Sequence, residues 1–206
     1  MGKKLFSLCM ALALCLSLLP VTALAAAPSG QELYVGNVKI TSTGYWTTVD
    51  DGNVTAYSGA GTPSDNYIYY DESTNTLTLH NATIKESVST DTNTYVAGAA
   101  IGVFNKSGNA ELTISLVGTN TIANVGKGIF VLASSASTGS SNLTIQGDGS
   151  LNASASQTGI WVQSNSGNAT LTIQNAEVTA TSTDGDGVQV RSDAQKSASL
   201  TVDGGS

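Results

Sequence analysis

Four aliphatic triplets recur along the chain, at residues 101–103, 129–131, 160–162 and 188–190, and their central residues differ in chemistry. The aliphatic–other–aliphatic alternation is typical of a strand with one buried face, so the central residue and the residue after each triplet should point outward. The candidate binding residues from this outward set are Phe104, Phe130, Trp161, Gln163, Gln189 and Arg191. Aromatic rings stack on the C–H faces of sugars, while amide and guanidinium groups bind hydroxyls or carboxylates. The pattern therefore predicts an exterior aromatic strip that binds carbohydrate.

The same strip also has a structural explanation. An apolar strip on the outside of a soluble protein can pack under a loop, here residues 85–97 or 133–141, or against another domain of a longer protein. Small residues at positions 100, 128, 159 and 187 precede the strip and predict an open column beside it. Both interpretations stay open at the level of sequence.

Acidic residues near residue 190 come closest to a catalytic or metal-binding set. Polysaccharide-cleaving enzymes generally need clustered carboxylates, often with calcium and a basic residue. Asp184 and Asp186 lie in an Asp-Gly-Asp-Gly sequence that is equally typical of a tight turn, and the spacing does not match a calcium-binding EF-hand loop. We therefore expect no catalytic residues and no required cofactor, and we retain Asp184 and Asp186 as the candidate calcium ligands. His80, the only histidine, has no catalytic partner nearby in sequence and is expected to be a surface residue.

A second motif, Leu-Thr followed by an aliphatic residue, alternates with the first. It occurs at residues 77–79, 112–114, 143–145, 171–173 and 200–202. A third, weaker strand pattern follows it after turns rich in Asn, Gly and Asp. Each repeat of 28 to 35 residues thus holds three short strands.

Three strands per repeat predict an all-β fold, a right-handed parallel β-helix (a solenoid) of four to five coils. Its interior would hold a file of leucines and its exterior a ladder of threonines. The predicted leucine file is Leu77, Leu112, Leu143, Leu171 and Leu200, and the predicted threonine ladder is Thr78, Thr113, Thr144, Thr172 and Thr201. A sandwich of antiparallel hairpins is the competing architecture, but it would not explain why two motifs return in the same order and phase.

The segments before the repeats are of two kinds. Residues 1–27 read as a signal peptide, because Lys3 and Lys4 precede an apolar run at 5–19 and a small-x-small cleavage site at 23–25. An N-terminal membrane anchor is the alternative. Residues 28–70 do not fit the repeat and carry most of the aromatic residues, so we interpret them as an N-terminal cap on the solenoid, with repeats over 71–206.

Compartment and partners follow from these assignments. Both cysteines, Cys9 and Cys15, lie within the predicted signal peptide, so the mature chain would have no disulfide. We expect a secreted, extracellular or cell-surface protein with no membrane span after cleavage. A net charge of -7 argues against a nucleic-acid partner. Because the chain stops just after the fifth Leu-Thr motif begins a coil, we expect a truncated array or an open last coil.

Two stretches carry a family resemblance. The chain resembles secreted repeat proteins of Gram-positive (Firmicutes-type) gut bacteria. The resemblance lies in the sequence at 33–38 (LYVGNV), in the sequence at 70–79 (YDESTNTLTL) and in the recurring Leu-Thr-Ile strands. That group is identified with carbohydrate-binding β-helix domains, similar in shape to the pectate-lyase superfamily. The resemblance covers about residues 31–206 and implies a plant or bacterial-wall polysaccharide as partner. It carries no catalytic motif.

Taken together, these observations predict an exported, non-catalytic module that binds polysaccharide at or near the bacterial cell surface. The first alternative is a structural stalk or adhesin that contacts a surface protein. A polysaccharide lyase or glycoside hydrolase is the third interpretation.

Overall fold

A computed structural model of the chain describes residues 25–49, 52–135 and 137–206. All regular secondary structure in these ranges is β-strand. No helix in this part of the chain is long and apolar enough to cross a membrane. The predicted signal peptide lies outside the described residues, apart from residues 25–27.

The strands from residue 76 onward form a parallel β-solenoid of about four turns, in which each turn contributes one strand to each of three faces. The first face comprises β6 (Thr76–His80), β9 (Ala110–Val117), β11 (Ser141–Gln146), β13 (Ala169–Gln174) and β16 (Ala198–Asp203). The second face comprises β7 (Thr83–Ile84), the first parts of β10 (Thr119–Ala133) and β12 (Ser150–Ser164), and β14 (Glu177–Ser182). The third face comprises β8 (Ala99–Asn105), the second parts of β10 and β12, and β15 (Asp186–Ser192).

Every neighbouring pair of strands within these faces is parallel. The second and third faces share the long strands β10 and β12, which turn the corner between the faces at register irregularities between Ile122 and Lys127. This arrangement confirms the predicted all-β parallel β-helix. It excludes the antiparallel sandwich for the repeats.

The interior is built from the two predicted aliphatic motifs. Leu143 lies between Leu112 and Leu171 on adjacent coils, and all three are buried. On the third face Ile129 lies in register between Ile101 and Ile160, each of them fully buried. Burying a side chain of this size contributes about 1.5–3 kcal/mol, so the stacked files are the main source of stability. In β16, the outermost strand of its sheet, Leu200 is 51% exposed.

The predicted alignment of the first coil is wrong by two residues. Leu77 is paired with Ile114 rather than with Leu112. The turn residue Asn75 takes the place beside Leu112. Its carbonyl accepts from Thr113 N–H at 3.2 Å, and its side-chain amide donates to the Glu111 carbonyl at 2.7 Å. Because the shift is even, Leu77 still faces the interior. The threonine ladder therefore begins at Thr76 rather than Thr78, and it consists of Thr76, Thr113, Thr144, Thr172 and Thr201.

The prediction of an open exterior column at positions 100, 128, 159 and 187 is wrong. A β-carbon on Gly128 would lie 2.3 Å from the Gly159 carbonyl oxygen and 3.2 Å from the Ala153 β-carbon. Ala100 belongs to the same interior cluster as the aliphatic files. A β-carbon on Gly159 or Gly187 would likewise lie 2.6 or 2.5 Å from a backbone carbonyl oxygen, so these glycines have no room for a side chain.

Antiparallel strands extend the first coil on two faces. They are β1 (Gln31–Val35), β2 (Val38–Ile40), β3 (Gly44–Val49), β4 (Asn53–Ala56) and β5 (Tyr67–Asp71). Strand β1 pairs with β8 on the third face, and β5 pairs with β6 on the first face. Buried residues of these strands, Ile68 and Tyr70 among them, join the solenoid core. The backbone edge of the first coil is thereby paired on the first and third faces.

Candidate functional site

The outward column of the third face is partly covered by the segment 85–98, which precedes β8. Val88 and Val96 of this covering segment are fully buried against Phe104, Phe130 and Leu132. As a result Phe130 is only 4% exposed and Phe104 only 5% exposed. Both side chains point away from the solenoid interior, but neither presents a ring to solvent. The covering loop considered for residues 85–97 is thus present over this part of the strip.

A glycine makes room for the covering segment. Gly102 on the first coil is the sheet neighbour of Phe130. A β-carbon on Gly102 would lie 2.9 Å from Val96. The segment is fastened at its base by Val88 N–H, which donates to the Ala99 carbonyl at 2.9 Å. Close packing over Gly102 therefore depends on the absence of a side chain at that position.

Side chains of the N-terminal strands hold the middle of the covering segment. The Asn93 amide donates to Glu32 Oε2 at 2.9 Å and to the Tyr34 hydroxyl at 3.3 Å. Lys39 forms an ion pair with Glu32. Hydrogen bonding by the Lys39 ammonium lowers the pKa of Glu32, and the same contact raises the pKa of Lys39. Glu32 is thus a charged acceptor to which the segment is tied.

Trp161 lies at the border of the covered region. It is paired with Phe130 in the sheet, and the two rings stack with their centroids 4.5 Å apart at an angle of 24°. Trp161 is partly exposed, whereas Phe130 is buried. The indole Nε1 is buried and has no hydrogen-bond partner among the described residues. The arrangement presents one supported aromatic ring, which is oriented by the ring beneath it.

The polar candidates lie beside Trp161 on the last two coils. Gln189 is the sheet neighbour of Trp161, and Arg191 is the sheet neighbour of Gln163. Asp193 joins two of them, accepting from Gln163 Nε2 at 2.9 Å and from Arg191 Nε at 2.5 Å. These contacts restrain the amide and the guanidinium beside the Trp161 ring.

Other contacts complete the edges of this surface. Gln189 Nε2 donates to Asp186 Oδ2 at 3.1 Å, so Asp186 supports a candidate binding residue. On the covered side, Lys127 Nζ lies 5.6 Å from the Phe130 ring centroid and donates to the Ala97 carbonyl at 2.9 Å. Burial lowers the pKa of Lys127.

The structure brings four of the six predicted strip residues together as a partly open surface and places two beneath other residues. The open set is Trp161, Gln163, Gln189 and Arg191, and the buried set is Phe104 and Phe130.

The candidate calcium ligands occupy an exposed turn. Asp184 N–H donates to the Ser156 carbonyl at 2.9 Å, and Asp186 binds Gln189. Within residues 25–49, 52–135 and 137–206, no group of three or more His, Cys, Asp or Glu side chains could hold a metal ion. Calcium binding at Asp184 and Asp186 stays a prediction, since two carboxylates would need further oxygen ligands from backbone or water.

Sequence reasoning missed two sets of exposed rings. Tyr95, at the tip of the covering segment, is 48% exposed and stacks on Phe104 with centroids 4.2 Å apart. Tyr67 and Tyr69 alternate with buried residues on β5, a period-two pattern that would have placed both on one face.

Comparison with known proteins adds no further assignment. No protein-family model matches this chain, and no curated protein and no solved structure matches it. The fold and the site therefore rest on the chain's own residues.

Proposed function

We propose that this chain is an exported, non-catalytic β-helix module that binds polysaccharide at the bacterial cell surface. The proposed contact surface is Trp161 with Gln163, Gln189 and Arg191. The observation that carries the proposal is the partly exposed Trp161 ring, stacked on Phe130 and flanked in the sheet by a glutamine. Phe104 and Phe130 serve as buried support for the ring and for the covering segment, and they do not contact the ligand.

The chemistry of these four residues suits a sugar. A pyranose places C–H groups on its ring faces and hydroxyls around its edge, so it matches a ring bordered by amide and guanidinium groups. The polar groups are already restrained by Asp186 and Asp193, which lowers the conformational entropy lost on binding. The resemblance to secreted carbohydrate-binding repeat proteins and the N-terminal signal pattern support the same proposal.

The test measures binding to hydroxyethylcellulose, a neutral glucan, and to polygalacturonate by affinity gel electrophoresis, with and without calcium. We expect Trp161→Ala to weaken binding about tenfold, because one stacking ring is lost. Gln189→Ala should weaken it by a smaller factor, while Asn152→Ala, which removes an exposed amide from the second-face part of β12, is the matched control. Binding unchanged in a folded Trp161→Ala protein would refute this site. Calcium dependence that Asp186→Asn abolishes would identify the acidic turn as a ligand set.

A structural stalk or adhesin that contacts protein is the second candidate. The observation in its favour is the covering segment, which leaves only part of the apolar strip open to a ligand. Failure of the folded protein to bind either polysaccharide would favour this candidate. Cleavage of polygalacturonate, lost in Asp186→Asn, would instead favour a lyase or hydrolase.

A further inference from the structure

A second group of aromatic rings lies on the first face, at the end where the N-terminal strands extend the sheet. We call it the tyrosine platform: Tyr45 on β3, Tyr67 and Tyr69 on β5, and His80 on β6. On β5 the intervening Ile68 is fully buried, so the two tyrosines point outward. All four rings remain partly exposed.

The rings of the platform contact one another directly. Tyr45 and Tyr69 are sheet neighbours with ring centroids 4.6 Å apart, and Tyr67 and His80 are sheet neighbours stacked at 4.6 Å and 3°. Tyr45 also meets Tyr67 edge to face at 5.6 Å. Each ring thus supports another, and the four form one continuous aromatic surface on three adjacent strands.

Contacts at the rim orient the platform. The Tyr45 hydroxyl lies 3.2 Å from the Thr62 hydroxyl. His80 Nδ1 is buried and has no hydrogen-bond partner among the described residues, with Asp65 Oδ1 3.8 Å away. Supported rings bordered by the exposed Thr62 hydroxyl and Asp65 carboxylate are suited to an amphipathic ligand rather than to a purely apolar one.

The same column of the sheet continues from the platform along the solenoid axis. Tyr69 is followed in register by Thr78, Ser115, Gln146 and Gln174, one residue on each successive coil. All four are partly exposed and carry hydroxyl or amide groups. Neighbouring strands lie about 4.8 Å apart, which is about the length of one sugar unit in an extended chain. A polysaccharide lying along the axis would therefore meet one side chain per sugar.

The charges at the platform are acidic. Asp65 Oδ1 lies 3.8 Å from His80 Nδ1. Burial raises the pKa of the Tyr69 phenol, and the charge of Asp71 on the same strand adds to that rise. An anionic chain would be repelled by these carboxylates, whereas a neutral chain would not.

We propose that the tyrosine platform and the polar column beyond it form a second carbohydrate-binding surface, which takes a neutral, extended polysaccharide lying parallel to the solenoid axis. It uses none of the residues of the Trp161 surface. The two surfaces lie on different faces of the solenoid, so each can be removed without the other.

The test compares Tyr69→Ala, Tyr45→Ala and Trp161→Ala by affinity electrophoresis in hydroxyethylcellulose and in polygalacturonate. We expect each tyrosine variant to weaken binding to hydroxyethylcellulose about tenfold and to leave polygalacturonate retardation unchanged. Tyr69→Phe keeps the ring and should retain binding. Tyr95→Ala is the matched control, because it removes an exposed, stacked tyrosine from the third face. The thermal unfolding midpoint shows whether each variant is folded, and Tyr45→Ala serves if Tyr69→Ala unfolds.

The outcomes separate the two proposals. Loss of hydroxyethylcellulose binding only in the tyrosine variants supports the platform and refutes the Trp161 surface as the binding site for this polysaccharide. Loss only in Trp161→Ala does the reverse, and loss in both sets supports two surfaces. No binding to hydroxyethylcellulose by the folded wild-type protein would overturn the platform. Polygalacturonate binding that disappears in the tyrosine variants would overturn its neutral specificity.

Discussion

A side chain at Gly102 should lift the covering segment from the aromatic strip. Its β-carbon would lie 2.9 Å from both Cβ and Cγ2 of Val96 and 3.5 Å from Val88 Cγ2. Carbon atoms in contact normally lie about 3.5–4.0 Å apart, so Val96 would have to move by about 1 Å. Gly102 is paired on both sides by β1 and β10, so the displacement would fall on the covering segment.

The magnitude follows from two opposing effects. Overpacking a buried site costs about 1–3 kcal/mol. Gly102 does not adopt a left-handed backbone, so alanine would bring no backbone strain and would stabilise by about 0.4–1 kcal/mol through the unfolded chain. We expect Gly102→Ala to lower the free energy of unfolding by about 1–2 kcal/mol.

Urea denaturation measures this loss, and chymotryptic cleavage after Tyr95 measures how often the covering segment opens. Cleavage should become faster in Gly102→Ala. The control is Gly108→Ala, where the added β-carbon would lie 3.4 Å from Asn105 Nδ2, an ordinary contact, and the stability should change by less than about 0.5 kcal/mol. A Gly102→Ala protein as stable as wild type and cut no faster would refute the assigned role of this glycine.

Two further predictions concern stability. Burial raises the pKa of Tyr70 to about 12, above the ordinary value of 10.0, and its hydroxyl donates to Asn75 at 3.0 Å. The neutral phenol is favoured in the folded state. The free energy of unfolding should therefore be highest below pH 10 and fall by about 3 kcal/mol as the pH rises through 12. A tyrosinate absorbance titration in which every tyrosine ionises together, without loss of stability, would contradict this. Leu143→Ala should cost about 3–4 kcal/mol in urea denaturation, whereas Leu200→Ala, in the same motif but half exposed, should cost less than about 1 kcal/mol. Equal losses of unfolding free energy in the two variants would show that burial of the leucine does not determine the destabilisation.

The fold could be predicted from sequence because its signal is local and repeated. Alternation such as Leu143-Thr144-Ile145 assigns one face inward, and its return in phase with a second motif requires stacked coils. The alignment of the first coil could not be predicted from the same motif. Asn75, in a left-handed turn at φ 50°, takes the place beside Leu112 and donates its side-chain amide to the Glu111 carbonyl, a contact that similarity of triplets does not reveal.

The site was predictable only in part. Alternation indicates that Phe130 and Trp161 leave the same side of a sheet, and the structure stacks them as expected. It does not indicate what lies over them. The covering segment has no periodic pattern, and its two buried valines become apparent only from their packing on Gly102. The tyrosine platform, by contrast, follows from period-two spacing once residues 67–71 are recognised as a strand.

The two-residue offset of the first coil has a consequence for how such an array can change by insertion and deletion. Side chains alternate with a period of two, so a strand that shifts by an even number of residues against its neighbour keeps the same side chains buried. The pairing of Leu77 with Ile114 is one such even offset, and the threonine column continues across it through Thr76. An odd offset would bring the threonines inside and expel the leucines. The register of one coil on the next is therefore subject to a parity rule, whereas coil length is not. The leucines at 112, 143, 171 and 200 stay in register across coils of 31, 28 and 29 residues, because the turns absorb the differences in length.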